Sequence, residues 1–138
     1  MVRRDDLVHT LRIETESQME MVDLTAGVRR IVKEAGVARG MCHLYVPHTT
    51  AAITINENTD PNVRKDMINE LLKTIPLHDD YLHAEGNAAA HILSSLLGSS
   101  ESVFVENGKL VLGTWQAIYF CEFDGPRSRT VFLRVMAE

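Results

Sequence analysis

The last third of the chain constrains the fold most. The segments "SVFVENGKLVL", "WQAIYFCEF" and "RTVFLRVM" follow one another with no helix-length stretch between them. Each is rich in the branched and aromatic residues that suit a pleated, half-buried surface. Asn107-Gly108 divides the first segment into two β-type runs and is a strong hairpin signal, because both residues tolerate positive φ. Asp124-Gly125-Pro126 predicts a second hairpin, joining "WQAIYFCEF" to "RTVFLRVM". Strands linked this closely pair antiparallel, since parallel neighbours need a long crossover.

Upstream, the periods change from segment to segment. In "LVHTLRIETE", Leu7, His9, Leu11 and Ile13 alternate with polar neighbours, the period of a half-buried strand. Leu24, Val28, Ile31, Val32 and Ala35 then recur at helical spacing, with Asp23 placed to cap the amino end and Gly36 to stop the helix in a left-handed conformation. "MCHLYV" and "AAITIN" read as strands around "PHTT", which puts His48 at a strand end. "TDPNVRKDMINELLKTI" predicts a second helix, capped by Asp60, opened by Pro61 and turning Val63, Met67, Ile68, Leu71 and Leu72 inward. "AAAHILSSLLG" predicts a third, with Asn87 as N-cap and Gly98 as stop. The resulting order, β-α-β-β-α-α-β-β-β-β, favours an α+β fold: one domain over residues 1–138, a largely antiparallel sheet or sandwich, and three helices.

Composition narrows the function classes. A length of 138 residues, without repeats or a linker, suits a single domain. The charged N-terminus carries no signal-peptide core and no run reaches membrane length, so a soluble, cytoplasmic protein without membrane contact is expected. Cys42 and Cys121 are far apart within apolar runs and read as reduced core residues. A net charge of −5 with no dense Lys/Arg cluster argues against nucleic acid as a partner.

Three histidines stand out: His48 at a strand end, His83 in a loop and His91 in the first turn of a helix. Imidazoles from three elements can form a three-nitrogen shell with an open coordination position, as catalytic Zn²⁺ requires; the plain alternative is three hydrogen-bonded or solvated histidines. On the third helix, Ile92, Leu93, Leu96 and Leu97 fall on one side and Asn87, His91, Ser94, Ser95 and Gly98 on the other, which keeps His91 off the expected core face. Small residues around it, Gly86, Ala88, Ser94 and Ser95, leave room for a ligand or another subunit. Glu122 shares a strand face with Gln116, Ile118 and Phe120, so it is expected to orient a histidine, act as a base, or pair with an arginine of the last strand. Glu85 is a candidate general acid/base beside His83. The helix end after Gly86, with Thr49, Thr50 and Asn87, forms a candidate anion site, whereas neither GxxxxGK[ST] nor GxGxxG occurs.

Three blocks, "PHTTAAITINENTDPNVRKDM", "HAEGNAAAHILSSLLGSS" and "LGTWQAIYFCEF", together resemble the YjbQ family, also known as secondary thiamine-phosphate synthase enzymes. The similarity runs from about Cys42 to the end of the chain. It implies an α+β homotrimer with a polar histidine pocket, holding a metal or oxyanion near the subunit boundary. Carried over by motif, the resemblance implies metal ligation by His48, His83 and His91. It also implies site roles for Asn56, Glu57 and Asp60, for Glu85 and Gly86, for Gly113, Thr114, Trp115 and Gln116, and for Glu122.

The implied activity is thiamine-phosphate-synthase-like, joining a pyrimidine methyl diphosphate to a thiazole phosphate, with Trp115 stacked on a ring. Three imidazoles suit Zn²⁺, while diphosphate chemistry more often uses Mg²⁺. Two alternatives stand beside this reading. One is a metal-dependent hydrolase with Glu85 or Glu122 as base. The other is a non-catalytic trimer that binds a phosphorylated metabolite or a metal.

Overall fold

Alternation along the strands becomes one-sided burial in three dimensions. In β1 (Val8–Glu14) of the computed structural model, which describes residues 7–138, Ile13 is buried and Leu11 half-buried while their neighbours face outward. Residues 1–6 of the expected signal-free N-terminus lie outside the described residues. The remaining elements are β2 (Glu20–Asp23), α1 (Thr25–Ala35), β3 (Gly40–Tyr45), β4 (Ala51–Glu57), α2 (Pro61–Thr74), α3 (Ala88–Leu97), β5 (Ser100–Glu106), β6 (Lys109–Leu110), β7 (Gln116–Glu122) and β8 (Ser128–Ala137). They form two antiparallel sheets, a five-stranded one in the order β1-β8-β3-β5-β6 and a three-stranded one in the order β2-β7-β4.

The main core lies between the sheets and is closed by α1. Val28, Ile31 and Val32 of that helix meet Cys42 and Leu44 of β3, Ile53 of β4, Ile118 and Phe120 of β7, and Val131 and Leu133 of β8 in one cluster. A second cluster covers the other face of the small sheet, where Ala90 and Leu93 of α3 pack with Ala52, Ala117, Tyr119 and Cys121, and Leu71 of α2 lies against its margin. The expected single-domain α+β architecture with three helices is therefore present, in the form of a sandwich with two helices on one outer face.

Several local expectations hold. Asn107 (φ 52°) and Gly108 (φ 73°) turn β5 into β6, Gly36 (φ 69°) ends α1, and the Asp60 side chain accepts from the Asn62 N–H to open α2. Cys42 and Cys121 are free, buried thiols whose pKa values burial pushes up to about 12.

Four expectations are corrected. First, β7 and β8 do not form a hairpin: each is a central strand of a different sheet, so Asp124-Gly125-Pro126 is a corner between sheets. The run Ala117–Cys121 is buried on both faces because β7 is flanked by two strands and sandwiched between the two clusters, which a strand of a simple edge hairpin is not. Second, β2 is an additional strand, too short at four residues to carry a period. Third, Asp23 ends β2 and reaches the Thr25 N–H (2.9 Å) from one position behind the cap residue Leu24. Fourth, α3 buries Ala89, Ala90, Leu93 and Ser94, while Ile92 and Leu96 are exposed. Small side chains let α3 lie close on β4, and the Ser94 hydroxyl is satisfied by the Ala90 carbonyl (2.8 Å), so packing distance rather than hydropathy selects the buried face.

Candidate functional site

The three histidines reach the same place from three elements. His48 lies between β3 and β4, His83 on the loop ahead of α3, and His91 in the first turn of α3. They line a polar cleft of about 460 Å³ shared with Thr49, Glu85, Asn87 and Arg127. A second hollow of about 510 Å³ continues from His48, Thr49 and His91 past Ser94, Ser95 and Gly98. The rings of His83 and His91 meet edge to face with centroids 5.3 Å apart, and Glu85 sits 3.8 Å from His83 Nε2 at the solvent rim.

The cleft floor is a buried ion pair. Arg129 Nε donates to Glu122 Oε1 (2.9 Å), and its Nη2 donates to Glu122 Oε2 and to Thr50 Oγ1 (2.9 Å). Thr15 Oγ1 (2.7 Å) and the Asp124 N–H (3.2 Å) also donate to the carboxylate. Burial alone would raise the Glu122 pKa, but these hydrogen bonds, from Arg129 first, hold it below the ordinary carboxylate range. Glu122 is 0 % exposed and its acceptor sites are occupied, so the expected base is instead a structural anchor, paired with an arginine of the last strand. Thr50 is likewise buried and held by Arg129.

A second network joins α3 to the corner after β7. Asn87 occupies the cap position of α3, yet its side chain makes no capping bond; its Nδ2 donates to Asp124 Oδ2 (2.9 Å). Asn87 Oδ1 is buried and has no partner among the described residues. Arg127 Nη2 also donates to Asp124 Oδ2 (2.8 Å), and its Nε donates to the Asp124 carbonyl (2.7 Å). Arg129 is the arginine of the last strand expected opposite Glu122, whereas Asp124 and Arg127 are additional site residues, because the hairpin reading takes "DGPR" as a turn. The polar density of that run was the available signal.

His48 has a defined tautomer. Its Nε2 accepts the Thr130 backbone N–H at 3.0 Å. A backbone N–H can only donate, so Nε2 carries the lone pair and the proton of the neutral ring is on Nδ1. Burial first, and then the Arg129 charge, lower the His48 pKa and favour that neutral ring.

The expected metal shell of His48, His83 and His91 does not fit this arrangement. The Nε2 lone pair of His48 is taken, and among the described residues no three His, Cys, Asp or Glu side chains converge as a cation cage. The donor set suits an oxyanion better: His48 Nδ1–H, the Thr49 hydroxyl, the Arg127 guanidinium and the uncapped start of α3. Gly86 (φ 81°) supplies the left-handed turn that brings the loop to that helix.

Asn56, Thr114, Trp115 and Gln116 are not part of this cleft within one chain. Ala51 pairs with Glu122 at the cleft end of the small sheet, and Glu57 pairs with Gln116 at the other end. The separation along β4 is about 20 Å at the usual rise per residue. The Gln116 side chain closes its own turn by accepting the Gly113 N–H (2.7 Å), and Trp115 is 59 % exposed. His9, His43 and His78 also lie away from the cleft, His43 being bonded to Ser102 (2.7 Å).

Comparison with known proteins agrees with this architecture. A family model described as UPF0047 protein YjbQ-like matches residues 9–138. UPF0047 protein YugU of Bacillus subtilis is 51 % identical over 94 % of this chain and 99 % of its own. A crystal structure of a YjbQ/UPF0047 family protein from Clostridium acetobutylicum superposes with a TM-score of 0.91 at 50 % identity, covering 93 % of this chain and 99 % of that one. A YbjQ-like protein of unknown function from Sulfolobus solfataricus gives a TM-score of 0.91 at 33 % identity, covering 96 % and 97 %.

Proposed function

We propose, for a chain that belongs to the YjbQ-like UPF0047 family, that the histidine cleft binds the phosphate of a small metabolite and serves a thiamine-phosphate-synthase-like reaction. The observation that carries this reading is that His48, Thr49, Arg127 and the start of α3 offer donors to one polar cleft, where Asp124 is already held by Arg127 and Asn87, Glu85 lies at the rim beside His83, and Glu122 behind the cleft is paired with Arg129. In that reaction the thiazole ring nitrogen attacks the pyrimidine methyl carbon. The carbon–oxygen bond to diphosphate breaks, and its electron pair leaves with the diphosphate. The demand on the protein is to hold anionic oxygens and stabilise the leaving group, which positioned N–H and guanidinium donors do. No carboxylate base is needed, in keeping with a Glu122 whose acceptors are spent.

The test is turnover. Purified protein supplied with the two precursors is expected to release thiamine phosphate and pyrophosphate, with a loss of about tenfold or more in Arg127→Ala. Precursor binding without turnover would support the non-catalytic binder. Hydrolysis of either precursor, abolished by Glu85→Gln, would support the hydrolase. Absence of both binding and turnover would sink all three.

A homotrimer in a cytoplasmic setting belongs to the same proposal. Among the described residues no helix is long and apolar enough to cross a membrane. Ile92 and Leu96 expose apolar surface on the flank of α3 turned away from His91, and Trp115 exposes its ring at the far end of the small sheet. A neighbouring subunit's far end would bring Asn56, Thr114, Trp115 and Gln116 to the histidines, from which they are separated within one chain.

A further inference from the structure

His48 is a cleft residue with one ring nitrogen anchored and the other free among the described residues. Two strands fix it from opposite sides of the sequence: the chain leaving β3 carries the ring in, and Thr130, eighty-two positions later on β8, donates its backbone N–H to Nε2 at 3.0 Å. Thr130 lies next to Arg129, whose guanidinium is bound to Glu122 and Thr50, so the anchoring backbone is itself held in place. The result is a ring that cannot present Nε2 to a ligand while the fold is intact. Its remaining polar atom, Nδ1–H, has no partner among the described residues, and the ring borders both hollows.

We infer that His48 is an oxyanion-recognising residue, donating Nδ1–H to a phosphate oxygen, and not a metal ligand. This rests on the phosphate-binding reading above and specifies how the site achieves it. A neutral donor has two consequences. Removing it weakens anion binding without changing the net charge of the cleft, and a side chain that restores an N–H at the Nδ1 position restores binding. Asn meets that requirement, because its amide nitrogen is as far along the side chain as Nδ1; Gln places its amide near the position of Nε2 instead. A metal-ligand role predicts a different pattern, in which neither amide substitutes for imidazole and the wild-type ring carries its proton on the nitrogen remote from the metal.

The experiment uses the full chain, ¹⁵N-labelled, with orthophosphate and Zn²⁺ as separate probes. Imidazole ¹H–¹⁵N correlation spectra at neutral pH are expected to give His48 as the Nδ1–H tautomer, and phosphate is expected to shift its Nδ1 resonance. Phosphate affinity is expected to fall about tenfold or more in His48→Gln and to stay within a few-fold of wild type in His48→Asn. A His48 protonated on Nε2, or one whose resonances are shifted by stoichiometric Zn²⁺ coordination, overturns the inference. So does phosphate affinity that His48→Gln leaves unchanged, although the phosphate-binding reading then survives. Wild-type protein that binds no phosphate overturns both. The tautomer measurement needs no variant, so it decides the point even where a substitution prevents folding.

Discussion

Glu122 illustrates how burial changes the meaning of a residue. An acid on an apolar strand face requires a partner, and the sequence narrowed its roles to base, histidine orienter or ion pair. Only the geometry selects the last, because the four groups that donate to it come from β8, from the segment after β1 and from its own corner. Glu122→Gln would leave Arg129 buried with an uncompensated charge, a change that costs about 3–5 kcal/mol in comparable buried pairs. The denaturation midpoint should fall accordingly. The pH dependence has a definite sign: the folded-state pKa lies below the ordinary glutamate value of 4.5, so the unfolded chain binds more protons between the two values. This contribution is present above 4.5 and is lost as pH falls through the folded value. The acid limb of the stability profile should therefore flatten in the Gln variant, and an unchanged limb would contradict the assignment. His48 was equally legible as a candidate and equally illegible in role, since nothing near it in sequence identifies Thr130 as its anchor.

At the scale of elements, local patterns reported what each segment is and left open what it lies against. The period of α1, its Gly36 stop, the Asp60 cap of α2 and the Asn107-Gly108 turn could be read because the forces that set them act within a few residues. The partner of β7 could not, since a turn signal at Asp124-Gly125 is compatible with a hairpin or with a corner between sheets. The continuous apolar run "AIYFC" was the better guide, being the pattern of a strand covered on both faces. The buried face of α3 was misjudged for a related reason: alanine and serine rank low in hydrophobicity but fit a close helix-to-sheet contact. Close contact between elements also yields a prediction where β3 begins. A Cβ at Gly40 would lie 1.8 Å from the Met136 carbonyl oxygen of β8, and both partners are backbone in a paired ladder. Gly40→Ala should cost about 3 kcal/mol or more, against about 1 kcal/mol for Gly36→Ala, where the added methyl meets open space and only the left-handed φ is strained. Equal midpoints for the two variants in urea would refute the packing account.

For the whole molecule, the family's sequence blocks outline two ends of one sheet. His48, His83 and His91 gather at one end, while Asn56 and the Thr114–Gln116 turn occupy the other, about 20 Å away along β4. A single chain has no means of bringing them together, whereas a head-to-tail ring closes when each copy offers one end to the next. Such an arrangement has a distinctive genetic signature. His91→Ala removes the cleft end and Trp115→Ala removes the far end, so each variant alone should bind the thiamine precursors at least about tenfold more weakly. After the two are unfolded and refolded together in equal amounts, half the clefts and half the turns are intact, and about a quarter of the composite sites should regain wild-type affinity. Leu96→Glu in either parent places a charge on the exposed apolar flank of α3, and by disrupting assembly it should abolish that recovery. If the mixture binds no better than its parents while light scattering reports a mixed trimer, the far-end residues act elsewhere and the cleft is complete within one subunit.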